Sequence, residues 1–487
     1  MGADLEPRRI SLADGGALSL GAEGFRLFDA EGERAPIHSY DAIGHVYASE
    51  RLLLIGTEEE LITLRAEQFA DGAGPEAARD ALFEAIGALP EGRAILDHIA
   101  AVERLGEHEG PPWMIWATAA ICALGMVLQY NDRLFDQVGL FVPDLFVRGE
   151  YWRAITMHFL HDVMAMPGFM RALLPMFDTL PLHLMLNVAG LLILGNLVER
   201  PLGHGRTVVA LAFSGIGTLG GIVLFDHGRV LGASGLVAGL AGAMLALELH
   251  HARFMPAYWR VPRRLFIILL VVQFCVIDQL LARWVAGGAH IGGFAGGYLA
   301  TWLIGRPSVE DLESPLGIRV AAWSTLSLVV VGFLGALPLA RHDMPALERH
   351  AVRVWDLPFD YYRPRYDNAA AWFIATEDGP SEDGLELAVA LAERAVNDTA
   401  GLNPNVLDTL AEALFQRGRA DEAVYTIDAA IALAPQEPYF REQRKRFTGE
   451  RDPSDRPPAP GLPIPWDTDE GEAGEGGDPE TRDGVDV

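Results

Sequence analysis

Four polar residues in otherwise apolar surroundings are of the types needed to cleave an amide bond. Ser234 stands in Gly232-Ala233-Ser234-Gly235, at the start of an apolar run. The flanking glycines let the backbone turn sharply and leave the hydroxyl approachable, and a helix N-terminus offers unpaired amides that favour a developing oxyanion. His290, in Ala289-His290-Ile291-Gly292-Gly293, supplies an imidazole. A serine hydroxyl ionises far above neutrality, so a positioned imidazole that accepts its proton makes it a nucleophile. His183 and Asn187 are four residues apart, on one face of a helix, where two donors converge on one oxygen. Taken alone, each residue also has a plainer use. His183 and Asn187 suit interhelical hydrogen bonds that hold a bundle together, and a serine in such a helix commonly bonds back to its own backbone.

The conjunction says more than any one motif. Gly293 and Gly297 follow His290 by three and seven residues; Ala238 and Gly242 follow Ser234 by four and eight. Each polar group therefore shares its helical stripe with small residues, and two such stripes let helices approach closely enough to bring Ser234 and His290 into hydrogen-bond reach.

The elements that carry these residues are membrane spans. From Pro112 onward apolar runs near the 20 residues that a bilayer core of about 30 Å requires recur seven times. They cover roughly 113–130, 181–198, 206–225, 233–249, 264–282, 287–304 and 319–340. The net charge of −28 is segregated away from them: residues 1–110 hold 22 acids against 9 bases and residues 341–487 hold 31 against 15, whereas 111–340 hold 13 against 14. Acidic flanks exclude nucleic acid as a partner, since phosphate binding needs a basic face. Two cysteines, Cys122 and Cys275, lie inside apolar runs and leave no disulfide framework or zinc site, and no metal or cofactor is implied. The first 20 residues lack an apolar core of signal-peptide length. Arg200 and Arg206, then Arg253, Arg260, Arg263 and Arg264, then Arg306 and Arg319 mark three loops as cytoplasmic. The four arginines of the long 131–180 loop run against this, but the loop is too long to count fully. The expected topology, in the cell (inner) membrane, has a cytoplasmic N-terminal domain and, after an odd number of spans, a non-cytoplasmic C-terminal domain.

Residues 1–110 read as a soluble β-rich domain, with short alternating bursts such as Phe25-Arg26-Leu27-Phe28 and Leu52-Leu53-Leu54-Ile55, and helices at about 75–88 and 91–106. Strands closed by a helix resemble a pleckstrin-homology-type barrel. Residues 341–366 read as a polar connector. In 367–448 the placement of Leu407, Ala411, Leu414, Gly418, Ala423, Ala429 and Pro435 matches a tetratricopeptide repeat, with 367–399 as a degenerate copy and a protein partner as the usual ligand. The acid-, proline- and glycine-rich tail, 449–487, is expected to be disordered.

His183-xxx-Asn187 on the second span, Gly232-Ala233-Ser234-Gly235 on the fourth and Ala289-His290-xx-Gly293-xxx-Gly297 on the sixth together resemble the rhomboid family of intramembrane serine proteases. Tyr151-Trp152-Arg153 resembles the family's Trp-Arg motif, and Glu199-Arg200 with Gly203 the acidic end of its second span. The likeness covers about 111–305, and residues 306–340 append a loop and a seventh span. The implied fold is an all-α polytopic membrane protein, a six-helix core plus one helix, between the β-rich and helical-repeat domains.

By that resemblance Ser234 attacks the scissile carbonyl of a transmembrane substrate and His290 carries the proton. His183, Asn187 and the Ser234 amide hold the oxyanion. The implied catalytic group is a dyad, with no acidic third member in the spans. Two positions depart from the family pattern. Ala238 stands where an aromatic commonly stacks on the base. His161 precedes His183 by 22 positions, across an apolar, methionine-rich stretch that includes Met164, Met166, Met170 and Met176 and suits the membrane interface. A rival reading is a catalytically silent scaffold that holds client helices and recruits partners through its repeat domain. A transporter with a proton relay ranks below both, because neither inverted repeats nor paired midplane acids occur.

Overall fold

The computed structural model describes residues 8–31, 36–70, 74–108, 110–131, 134–161, 181–282, 285–305, 314–358 and 363–457. These divide into two compact units, 1–336 and 337–487. The methionine-rich stretch and the acidic tail beyond 457 lie outside the described residues.

The first unit begins with two three-stranded antiparallel sheets. One pairs β1 (Arg8–Ser11), β2 (Ala17–Gly21) and β3 (Gly24–Phe28); the other pairs β4 (Ile43–Ala48), β5 (Leu52–Thr57) and β6 (Leu61–Arg65). In β6 the alternation buries Ile62 and Leu64 and exposes Thr63 and Arg65, the period-2 signature of a strand with one wet face. Leu18, Phe25, Leu53 and Ile55 close a core with Leu82 and Ile86 of helix α1 (Pro75–Gly87). Proline at the first turn of α1 costs no hydrogen bond, because that amide has no helical partner.

Helix α2 (Gly92–His108) leads to α3 (Trp113–Asn131), the first of the apolar helices. The others are α4 (Leu182–Leu202), α5 (His204–Leu224), α6 (Ser234–His250), α7, α8 (Gly287–Ile304) and α9 (Leu316–Ala340), whose last residues, from Leu337, belong to the second unit. Helix α7 runs from Arg263 to Val272, widens into a π-helical turn over Gln273–Ile277 and ends at Leu280. Among the described residues α4, α5 and α9 are long and apolar enough to cross a membrane, and α6 and most of α3 form shorter apolar helices.

The β domain is fastened to the segment that joins α6 to α7. Arg260, buried, donates through Nη1 to Thr57 O at 2.5 Å and through Nε and Nη2 to Glu248 Oε2 at 3.2 and 3.1 Å. Glu248 Oε1 also accepts from Val261 N at 3.0 Å. His45 is fully buried, and its Nδ1 accepts from Ala257 N at 3.0 Å. That bond fixes the ring proton on Nε2, which meets the Glu103 carboxylate. The domain thus docks at the C-terminal end of α6, the end opposite Ser234.

The second unit is helical throughout its described part. Helices α10 (Met344–Trp355), α11 (Arg363–Thr376), α12 (Glu382–Asp398), α13 (Pro404–Gln416), α14 (Ala420–Leu433) and α15 (Pro438–Phe447) pack as successive neighbours. The segment read as a polar connector therefore contains a helix, α10, which buries Met344, Leu347, Ala351 and Val354. Leu407, Ala411, Leu414 and Ala423 face the core as their spacing predicts, but Ala429 is exposed and Ala430 is buried in its place. Gly418, at φ +83°, makes the turn between α13 and α14.

Burial holds the proton affinity of His45 below its ordinary 6.5, outweighing the opposing pull of Glu103. The unfolded chain then takes up the proton more readily than the folded one. The contribution of His45 is full above the unfolded value and is lost as pH falls toward the folded one. Hydrogen exchange of residues 251–262, corrected for intrinsic rate, should show weaker protection at about pH 5 than at about pH 7.5. His98, which donates to Arg253 O and is shifted the same way by burial, adds to the same dependence. In His45→Gln, which keeps an acceptor but does not titrate, the dependence should shrink, and in a variant that also carries His98→Gln it should shrink further.

Candidate active site

Helix α8 lies between α5 and α6, and glycines make both contacts. A methyl group added at Gly293 would lie 2.1 Å from Gly235 O, and one at Gly297 2.0 Å from Gly239 O, both in α6. On the other side, one at Gly292 would lie 2.0 Å from Gly217 O and one at Gly296 2.2 Å from Phe213 O, both in α5. Two stripes with four-residue spacing therefore run along one helix, each seated against backbone with no room for a side chain. Facing them on α5, Ser214 and Thr218 satisfy their hydroxyls on Ala210 O and Ser214 O at 2.7 and 2.8 Å. The pairing of Gly235 with Gly293 and of Gly239 with Gly297 sets α6 and α8 parallel. Gly293, three residues after His290, thus meets Gly235, the residue that follows Ser234.

That segment is held from several sides. Val230 exchanges both backbone hydrogen bonds with Phe141, and Gly232 N donates to Met157 O at 2.8 Å. Gly232 adopts φ +124°, a conformation open to glycine and strained for other residues. Ala233 N donates to His161 Nε2 at 3.4 Å, and the backbone of His161 exchanges two hydrogen bonds with the Gln129 side chain of α3. Ala233 brings no side-chain cap, so the first-turn amides of α6 at Ser234 and Gly235 keep no helical acceptor. Ser234 itself is partly exposed.

His183 and Asn187 face the same point. A methyl group at Gly232 would lie 2.8 Å from both His183 Cε1 and Nε2, and 3.9 Å from Asn187 Nδ2. Asn187 donates to His183 O at 2.8 Å, which uses one of its two amide hydrogens. The rings of His161 and His183 meet edge to face at 5.2 Å although they are 22 positions apart in sequence.

The expectation that no acid in the spans approaches the base is corrected by Asp278. Its Oδ2 lies 2.9 Å from His290 Nδ1, and its Oδ1 accepts from Gln273 Nε2 at 2.8 Å. Asp278 is almost completely buried and His290 nearly so. Asp278 directly follows the π-helical turn of α7, so α7 supplies the hold on His290 that was expected from an aromatic at Ala238. His227, in the turn after α5, accepts from Gly288 N at 3.2 Å; burial lowers its proton affinity, Asp226 opposes this, and the charge of His290 adds to it.

The other motif residues build the frame. Arg153 and Glu150 form a fully buried pair at 2.6 Å, and Arg153 Nη1 also donates to Gln137 O and Leu140 O. Trp152 Nε1 donates to Val138 O at 2.9 Å, so Arg153 and the indole tie residues 150–153 to the 137–140 segment that precedes Phe141. Glu199 is buried and accepts from Met114 N and Ile115 N at 3.0 and 2.9 Å, placing a carboxylate at the positive end of α3. Gly203, at φ +77°, ends α4 one turn later. Sequence reasoning missed Asp278, Gln129 and the contact of His161 with Ala233. For Asp278 the signal was present, as an acid inside an apolar run is costly unless it is paired or useful.

Comparison with known proteins bears on the same region. The description "Rhomboid domain" matches residues 169–307. The chain is 25% identical over 299 residues to Rhomboid protease GluP of Bacillus subtilis, covering 60% of this chain and 48% of that one. It is 31% identical over 186 residues to RHOMBOID-like protein 5 of Arabidopsis thaliana, covering 37% of this chain and 53% of that one. The chain thus carries a rhomboid domain, is homologous to rhomboid protease GluP and spans about half the length of these curated relatives. No solved structure matches it.

Gly297→Leu should force α8 away from α6, because the new side chain would meet the Gly239 backbone rather than a flexible group. Overpacking of this kind is expected to destabilise by about 1–3 kcal/mol or more, read as a lowered melting temperature in detergent. Ala300→Val, at a buried position that is not glycine, provides a comparison of added volume alone.

Proposed function

We propose that this protein is an intramembrane serine endopeptidase that cleaves transmembrane segments of membrane proteins. The observation that carries the reading is the glycine seam between α6 and α8, which sets the stripe of His290 beside the start of α6 at Ser234, with His183 and Asn187 packed against Gly232. In this mechanism Ser234 Oγ bonds to the scissile carbonyl carbon as its proton passes to His290 Nε2. The negative oxygen that forms is met by the Ser234 amide, His183 and Asn187. Collapse breaks the C–N bond, His290 returns the proton to the departing amine, and water then releases the acyl group by the same steps in reverse order.

The orientation belongs to the same proposal. The β domain docks on the arginine-bearing segment after α6, at the end away from Ser234, which agrees with a cytoplasmic N-terminal domain and a site approached from the other side. Six core spans with a seventh appended, a pleckstrin-homology-type N-terminal module and a tetratricopeptide-type C-terminal module that engages a protein partner complete the reading.

Purified protein in detergent, incubated with a labelled transmembrane test substrate, should cleave it. Ser234→Ala should lower kcat by at least about 10⁴-fold and abolish labelling by a fluorophosphonate probe. Undiminished cleavage by that variant sinks the assignment. Wild-type protein that neither cleaves nor takes the probe, yet retains test helices in pull-down, would favour the silent scaffold.

A further inference from the structure

Asp278 is almost completely buried, and its two carboxylate oxygens have separate partners. Oδ1 is taken by Gln273, five residues earlier on the same helix. In a regular α-helix residues five apart point about 140° away from each other; the intervening π-helical turn changes this angle and lets the two side chains meet. Oδ2 is thereby aimed at His290 Nδ1, at 2.9 Å. With the carboxylate ionised and the imidazole neutral, Asp278 only accepts, so Nδ1 carries the hydrogen and Nε2 presents its lone pair.

We propose that Asp278 is a positioning residue for His290, extending the expected dyad into a Ser234–His290–Asp278 triad. It holds the imidazole in the tautomer that can accept the serine proton and stabilises the imidazolium that forms. The Nδ1 hydrogen stays on nitrogen throughout; Asp278 contributes only its charge and its acceptor. This rests on the reading of Ser234 and His290 as nucleophile and base. The competing use of Asp278 is an interhelical hydrogen bond that merely ties α7 to α8.

The two roles predict opposite orders of damage. The full chain in proteoliposomes is assayed for kcat, KM and melting temperature as wild type, Asp278→Asn, Asp278→Ala and Ser234→Ala. As a positioning residue, Asp278→Asn should lower kcat by about 10²–10⁴-fold with KM little changed, and by at least as much as Asp278→Ala. The reason is that the new amide can donate to Nδ1 and lock the wrong tautomer. As a mere tie, the isosteric asparagine should be close to wild type and alanine should lose stability; near-wild-type kcat in Asp278→Asn overturns the proposal. If neither Asp278 variant folds, Gln273→Leu decides, since freeing Oδ1 should lower kcat at constant KM, and unchanged kcat overturns the proposal. Ser234→Ala separates the two readings: if it abolishes cleavage while the Asp278 variants remain active, only the role of Asp278 falls, and if it cleaves like wild type the protease reading falls as well.

Discussion

Helices in an apolar medium gain nothing from hiding hydrophobic surface on one another, so close packing and polar contacts must hold them together. In this protein that requirement is met by removing side chains. Helix α8 presents Gly292 and Gly296 to α5, and Gly293 and Gly297 to α6, and each lies against a backbone carbonyl of its neighbour. A helix seated on two sides in this way has little freedom to slide or rotate, because any register shift would bring side chains such as Phe294 or Tyr298 into the contact. The position of His290 follows from that seam, as does its level relative to Ser234.

Charge within the apolar part obeys a second constraint. A buried ion is tolerable when its partner and its remaining hydrogen-bonding sites are both supplied. Arg153 has Glu150 and two carbonyls; Glu199 has two amides at the start of α3; Glu248 has Arg260 and the Val261 amide. The Glu199 pair of bonds joins α4 to the start of α3 across more than 80 positions, whereas the other two groups act over short stretches of chain. Asp278 differs from them in that its partner is His290. The same physics that elsewhere fastens loops here acts on the side chain proposed to move the proton.

The two ends of α6 divide the molecule's tasks. Its N-terminus carries Ser234 with uncapped amides, and its C-terminal turn carries Glu248, which grips the segment that receives the β domain. The β domain therefore braces the helix without approaching Ser234. His45, buried between Ala257 and Glu103 with its proton affinity lowered by burial, makes that brace pH-sensitive.

Much of this was legible in one dimension. Apolar run length marked the helices, and four-residue spacing put His183 with Asn187 and Gly293 with Gly297, because helical geometry turns such intervals into faces. Charge segregation separated the flanks from the middle, and alternation marked strands in the first 70 residues. Tertiary structure decided what spacing cannot encode. Asp278 and His290 are 12 residues apart on different helices, and only the π-helical turn of α7 and the seating of α8 aim one at the other. His161 meets His183 across 22 positions, and Ala430 rather than Ala429 enters the core of the second unit, because side-chain direction depends on how a helix is rotated against its neighbours. Periodicity is a property of the chain and can be read from it. Which faces meet depends on the packing of the whole, and that appears only in three dimensions.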